Sequence, residues 1–221
     1  MAVCRLLTAG RAVCTVATLS GLLLAQADSG PPQSSKAAES PSGVPLKAVS
    51  EFDAIQDPRA RSAALFIEAG KVLQHPRCLN CHPNGDSPTQ RDEMTLHRPL
   101  VVRGAGGWGA SNAMTCVACH SSVSGPTGGS FDDIRWRVAP AKMAWQGLTL
   151  PQICAQLKDR RGKSDTDKML KHSVEDKVIG MGWNFGPASP PGTQKEFGEL
   201  MKAWVATGGH CPNTGEARGK H

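Results

Sequence analysis

Cys78-Leu79-Asn80-Cys81-His82 recurs 38 positions further along as Cys116-Val117-Ala118-Cys119-His120, and the reading of this doubled pentapeptide decides the rest of the chain. C-x-x-C-H is the attachment signature of c-type haem. Two thiols add across the porphyrin vinyl groups, and the histidine beside the second cysteine reaches the iron from the proximal side. The sequence therefore predicts two covalent haem c groups, tethered by Cys78, Cys81, Cys116 and Cys119, with His82 and His120 as proximal axial ligands. A zinc ribbon also pairs one C-x-x-C with another. Its loop usually spans about 15–20 residues, against the 35 positions from Cys81 to Cys116, and zinc has no need of a histidine after each second cysteine. A disulfide within each C-x-x-C is the third reading.

Haem is attached on the far side of an energy-transducing membrane, so this reading requires an export signal. Residues 1–27 have the form of one. Arg5 and Arg11 stand without an acid, Ala12 to Ala25 is apolar, and Ala25-Gln26-Ala27 is a small-x-small cleavage site. That apolar run is shorter than the roughly 20 residues a membrane span needs, so no anchor is expected in the mature chain. Cys4 and Cys14 leave with the signal, and the predicted location is periplasmic.

The whole chain carries 25 basic and 19 acidic residues. Loss of Arg5 and Arg11 reduces the formal charge from +6 to +4, and two haems with ionised propionates bring it to about +2. The basic composition is thus no sign of nucleic acid as a partner.

Residues 28–50 are rich in Ser, Pro, Ala and Gly without an apolar period and read as a flexible tether. Residues 51–212 show no second break and predict one mainly α-helical domain with long loops and little or no sheet, followed by a polar tail over 213–221. Four helices are legible. The first has Asp57 as N-cap and Pro58 at its first position and stops before Pro76. The second opens on Thr149-x-x-Gln152, and the third starts near Ser164 and runs through Met169, Leu170, Val174 and Val178. The fourth opens on Thr193-x-x-Glu196, carries Phe197, Leu200, Met201, Trp204 and Val205, and closes at Gly208. Gly-rich loops are expected over 104–109 and 121–130. Cys154 and Cys211 remain outside the pentapeptides, and in an oxidising compartment they predict a disulfide.

A self-contained single-haem cytochrome domain takes about 80–100 residues. The 38-position spacing is far shorter, so both haems must share one core. The motif leaves the distal ligand open. His97 lies 15 positions after His82 in a loop that can turn back over a ring, and His172 sits on the third helix, a rigid mount. Met143, in the proline-led stretch Ala139-Pro140-Ala141-Lys142-Met143-Ala144-Trp145, is the methionine candidate; Met94, Met114 and Met181 are weaker ones. His75, His210 and His221 are less suitably spaced, and Trp136, Trp145 and Trp183 read as crevice walls or core. Bis-histidine ligation would favour a lower potential than methionine ligation.

Several of these features recur in a fixed order: Cys78 to Asp86 as C-x-x-C-H-P-x-G-D, His97, Arg103-Gly104, the second pentapeptide, Ala139 to Trp145, Cys154, His172, Trp183 and Trp204 to Pro212. In that order the chain resembles a family of small bacterial periplasmic dihaem c-type cytochromes, often labelled isoquinoline 1-oxidoreductase subunits. The resemblance implies an electron carrier serving a periplasmic oxidoreductase. It departs from the family at Trp108 and Arg137, near which such chains tend to carry histidine. The expectation is a relay of single electrons between a periplasmic dehydrogenase and another cytochrome or a terminal oxidase, with no catalytic residue of its own. The rival is a haem enzyme or gas-binding protein with one open five-coordinate iron.

Overall fold

A computed structural model describes residues 44–104, 116, 120, 136–159, 163–183 and 189–213. The expected signal segment, most of the tether, Cys119, Trp108, Met114, most of the Gly-rich loops and all of the tail but Asn213, with His221, lie outside the described residues.

The described chain is mainly helical, as its patterning requires. Helix α1 (Pro58–Leu73) starts where Asp57 accepts the Ala60 N–H at 2.7 Å, filling a donor that an unmodified helix end leaves open. Its inner face buries Leu65, Phe66, Ala69, Val72 and Leu73. A four-residue helix, α2 (Pro76–Leu79), follows at once and carries Cys78. Thr89–Gln90 and Thr95–Leu96 form a two-stranded antiparallel hairpin, β1 and β2, with Thr89 opposite Leu96. Next come α3 (Leu150–Lys158) and α4 (Lys163–Glu175). The third expected helix is in fact two. Asp176 ends α4 and caps α5 (Lys177–Gly180) by accepting the Val178 N–H at 3.1 Å. The last helix, α6 (Gln194–Ala206), begins where Thr193 accepts the Glu196 N–H at 3.2 Å and ends before Gly208, whose φ of +98° suits a residue without Cβ.

The core lies mainly between α1 and α6. Phe66 and Trp204 meet with ring centres 4.7 Å apart. Ser62 is small enough to let the helices approach, and its hydroxyl donates to the Trp204 carbonyl at 3.4 Å and accepts the His210 N–H at 2.8 Å. Helix α4 packs on α6 at Gly198, where a Cβ would stand 2.8 Å from Val174 Cγ2. This close approach accounts for a glycine inside a helix, where it otherwise costs about 1 kcal/mol.

Packing begins earlier than the tether reading placed it. Leu46 is buried, the Lys47 N–H donates to Glu68 Oε1 at 3.1 Å, and Val44 accepts the Gly192 N–H at 2.8 Å. One leucine among prolines and serines makes no period, so the sequence pattern passed over it.

Cys154 on α3 and Cys211 beyond α6 stand at disulfide distance, their Cα atoms 5.6 Å apart and 57 positions apart in sequence. Closing a loop of that length restricts the unfolded chain, and replacing both residues with alanine is expected to lower the unfolding free energy by about 2–4 kcal/mol. Urea unfolding checks this. An unchanged midpoint would show that the pair contributes no crosslink.

Candidate functional site

The first pentapeptide is folded into a single helical turn. Proline at the start of α2 fixes φ, and the His75 ring caps the turn, its Nδ1 accepting the Arg77 N–H at 3.2 Å. The His82 N–H then reaches back to the Cys78 carbonyl at 3.2 Å. This brings Cys78, Cys81 and His82 to one side of the turn, since positions three and four apart share a helix face. Asn80, one of the two intervening residues, is buried and ties the turn to the hairpin. It donates to the Arg91 carbonyl at 2.9 Å and accepts from Thr89 Oγ1 at 2.7 Å, while Gln146 Nε2 donates to that same hydroxyl at 2.7 Å.

Residues 139–146 clamp this turn from the other side. The Ala139 N–H donates to the Cys81 carbonyl at 2.9 Å, and the Trp145 N–H donates to the His82 carbonyl at 2.9 Å. The His82 ring lies parallel to Trp145, centres 3.6 Å apart. Its Nδ1 meets the Met143 carbonyl at 2.7 Å. A carbonyl only accepts, so Nδ1 carries the hydrogen. Burial holds the imidazole pKa down at about 3, so the ring is neutral and Nε2 keeps its lone pair. Met143 was the methionine candidate, and its carbonyl is what meets His82, from the Nδ1 side. Its side chain packs against the core.

His172 is prepared in the same way. On α4 its Nδ1 donates to Asp176 Oδ2 at 2.8 Å, and Arg137 Nη2 donates to the same oxygen at 2.7 Å. The hydrogen bond from His172, with Arg137 and the Val178 N–H in support, holds the Asp176 carboxyl down at about 2. His172 is close enough for its charge to disfavour protonation of His82. Arg137, noted in sequence only for replacing a histidine, thus steadies the carboxylate behind another.

His97 follows β2, and the hairpin turns it back on the chain, its N–H reaching the Pro88 carbonyl at 3.1 Å. Its Nδ1 donates to the Pro99 carbonyl at 2.8 Å. The His97 ring centre lies 6.2 Å from that of His120, which stacks on Trp136 at 4.3 Å. Each pentapeptide histidine is therefore backed by a tryptophan. Trp183 instead belongs to the core.

Cys116 of the second pentapeptide also comes near Cys81 of the first. Burial pushes the Cys78 thiol up to about 12 and the Cys81 thiol up to about 11, and for Cys81 the nearby Cys116 adds to the rise. Such surroundings favour an uncharged sulfur. A thioether satisfies that condition. Among the described residues no three His, Cys, Asp or Glu side chains are grouped to hold a metal ion by themselves. Trp145 Nε1 is buried without an acceptor. Among the described residues the donors fit haem c in kind: Cys78, Cys81 and His82 at the first pentapeptide, Cys116 and His120 at the second, and His97 with its ring centre 6.2 Å from that of His120.

The His172–Asp176 contact lay partly within reach of the sequence, since the two stand four positions apart across the end of α4. Arg137 arrives from 39 residues away and gave no local signal. Because the Asp176 carboxyl is depressed from 3.8 to about 2, its contribution to stability is present above pH 4 and is lost as pH falls towards 2. Asp176→Asn is expected to flatten that part of the profile, by a difference on the order of 1 kcal/mol given partial exposure. Thermal unfolding from pH 2 to pH 6 measures it, and parallel profiles for the two proteins would refute the depressed carboxyl. Compared with family models, with curated proteins and with solved structures, the chain matches none.

Proposed function

We propose that the chain is an exported dihaem c-type cytochrome that relays single electrons between a periplasmic oxidoreductase and a respiratory acceptor. The observation that carries this reading is the common preparation of three imidazoles. His82, His97 and His172 each commit Nδ1–H to an oxygen, at 2.7, 2.8 and 2.8 Å. That bond fixes the tautomer and leaves Nε2 as the ligand nitrogen, the usual arrangement behind a metal-bound histidine.

The approach of His97 to His120 supports an iron that would be held between two histidines. Two imidazoles bound through nitrogens about 2 Å from one metal have ring centres about 6 Å apart, and His97 and His120 stand 6.2 Å apart. His172, the remaining imidazole prepared in this way, is assigned to His82. In this reading Cys78, Cys81 and His82 would hold one haem with His172 as the second histidine, and Cys116, Cys119 and His120 would hold the other with His97. Haem supplies a reversible one-electron iron couple. What the chain would supply is a histidine on each side, tryptophan walls at Trp145 and Trp136, and, around His82, a packed surround that keeps water from the ring. A filled coordination sphere suits electron transfer over substrate binding.

The ends of the relay follow from compartment. Thioether attachment requires export, which the features of residues 1–27 support, and no helix among the described residues is long and apolar enough to cross a membrane. A periplasmic dehydrogenase as donor and a second cytochrome or terminal oxidase as acceptor fit such a carrier.

Carbon monoxide tests the reading. The reduced protein is expected to show no spectral change on a timescale of minutes, and the oxidised protein to give low-spin EPR signals only. His97→Ala and His172→Ala should each open one iron, so that about half of the haem absorbance responds to the gas. A rapid response in the unaltered protein would contradict the relay and point to an open haem.

A further inference from the structure

Arg103 is a buried cation whose partners do not fill it. Its side chain is 6% exposed, a costly position for a guanidinium, which cannot lose its charge. Nη2 donates to the Gly85 carbonyl at 2.7 Å, and the backbone N–H donates to the Asp86 carbonyl at 2.6 Å. Nε stands 3.6 Å from Asp86 Oδ1, outside hydrogen-bonding reach, and that carboxylate is itself 84% exposed to water. Nη1 and Nε are both buried without a hydrogen-bond acceptor. Leaving donors of a buried charge unmet is unfavourable, and the forked guanidinium matches a carboxylate better than any other common anion except phosphate.

The position of Arg103 identifies which carboxylate. Gly85 and Asp86 lie three and four residues after His82, so the guanidinium is stapled to the segment that leaves the first pentapeptide. The geometry points to Arg103 as the seat of a haem propionate, receiving one carboxylate of the group tethered at Cys78 and Cys81. This inference rests on the haem reading above. It also gives a reason for the hold on this loop: the backbone bond to Asp86 fixes the residue, and the Nη2 bond to Gly85 fixes its guanidinium, before any ligand arrives.

A cation at that place favours the ferrous state, because it offsets the negative charge that the propionate brings near the iron. Spectroelectrochemical titration of the holoprotein, with haem counted beforehand, tests this on Arg103→Gln and Arg103→Lys. R103Q should keep two haems and shift one couple about tenfold towards the ferric form at fixed ambient potential, leaving the other unchanged. R103K, which keeps the charge, should restore that couple to within about threefold. Should R103Q fail to accumulate, Asp86→Asn carries the test: loss of this exposed acid should shift the same couple about twofold towards the ferrous form. Two haems with both couples unmoved, even alongside lower thermal stability, would reduce Arg103 to a loop staple and overturn the inference alone. A chain without attached haem would overturn both it and the reading on which it rests.

Discussion

The bond from His82 Nδ1 to the Met143 carbonyl is the contact on which the site depends. It joins the turn that carries the first cysteine pair to a segment 61 residues away, and backbone bonds from Ala139 and Trp145 lock that join on both sides. Trp145 lies flat against the ring. A buried imidazole held this way has one tautomer, one orientation and one free nitrogen. The hairpin and the loop from Pro140 are tied to this join through Asn80, Thr89 and Gln146.

The same device appears twice more with different acceptors. His97 uses the carbonyl of a proline two residues on, and His172 uses a carboxylate that Arg137 neutralises. The difference matters for tuning. A carboxylate behind an imidazole makes that ring a stronger donor than a carbonyl does, which stabilises the higher oxidation state of a bound metal. In the proposed cytochrome the haem between His82 and His172 would accordingly be the harder to reduce, with the Arg103 cation acting in the opposite direction. The two irons could then differ in potential although both have histidine on each side.

The helices were legible because their signals are local. Asp57-Pro58, Thr149 with Gln152, and Thr193 with Glu196 are caps made within four residues, and all three stand where the pattern put them. The third helix was read too long because its apolar spacing continues through Val178. Asp176 competes for the backbone there and restarts the helix. Leu46 escaped notice for want of neighbours that repeat it. For the site, the pentapeptides, His97 and His172 could be picked out by residue type and spacing, whereas what each of them bonds to is tertiary. The proline-led loop does meet the first pentapeptide, yet the atom that meets it is the Met143 carbonyl oxygen, which every residue possesses and no sequence pattern marks. The roles of Arg137 and Arg103 were likewise invisible, and Trp136 and Trp145, legible as crevice walls or core, could not be assigned to a particular histidine, since these contacts arise only when distant segments come together.

The central claim is that both pentapeptides carry covalent haem in one small domain. Intact mass of the exported chain under denaturing conditions, paired with a pyridine haemochrome count, tests it most directly. The account predicts the mass of the processed chain plus two haems, and two haems per chain in the optical count. A mass equal to the bare chain, or one raised by zinc that a chelator removes, would contradict it.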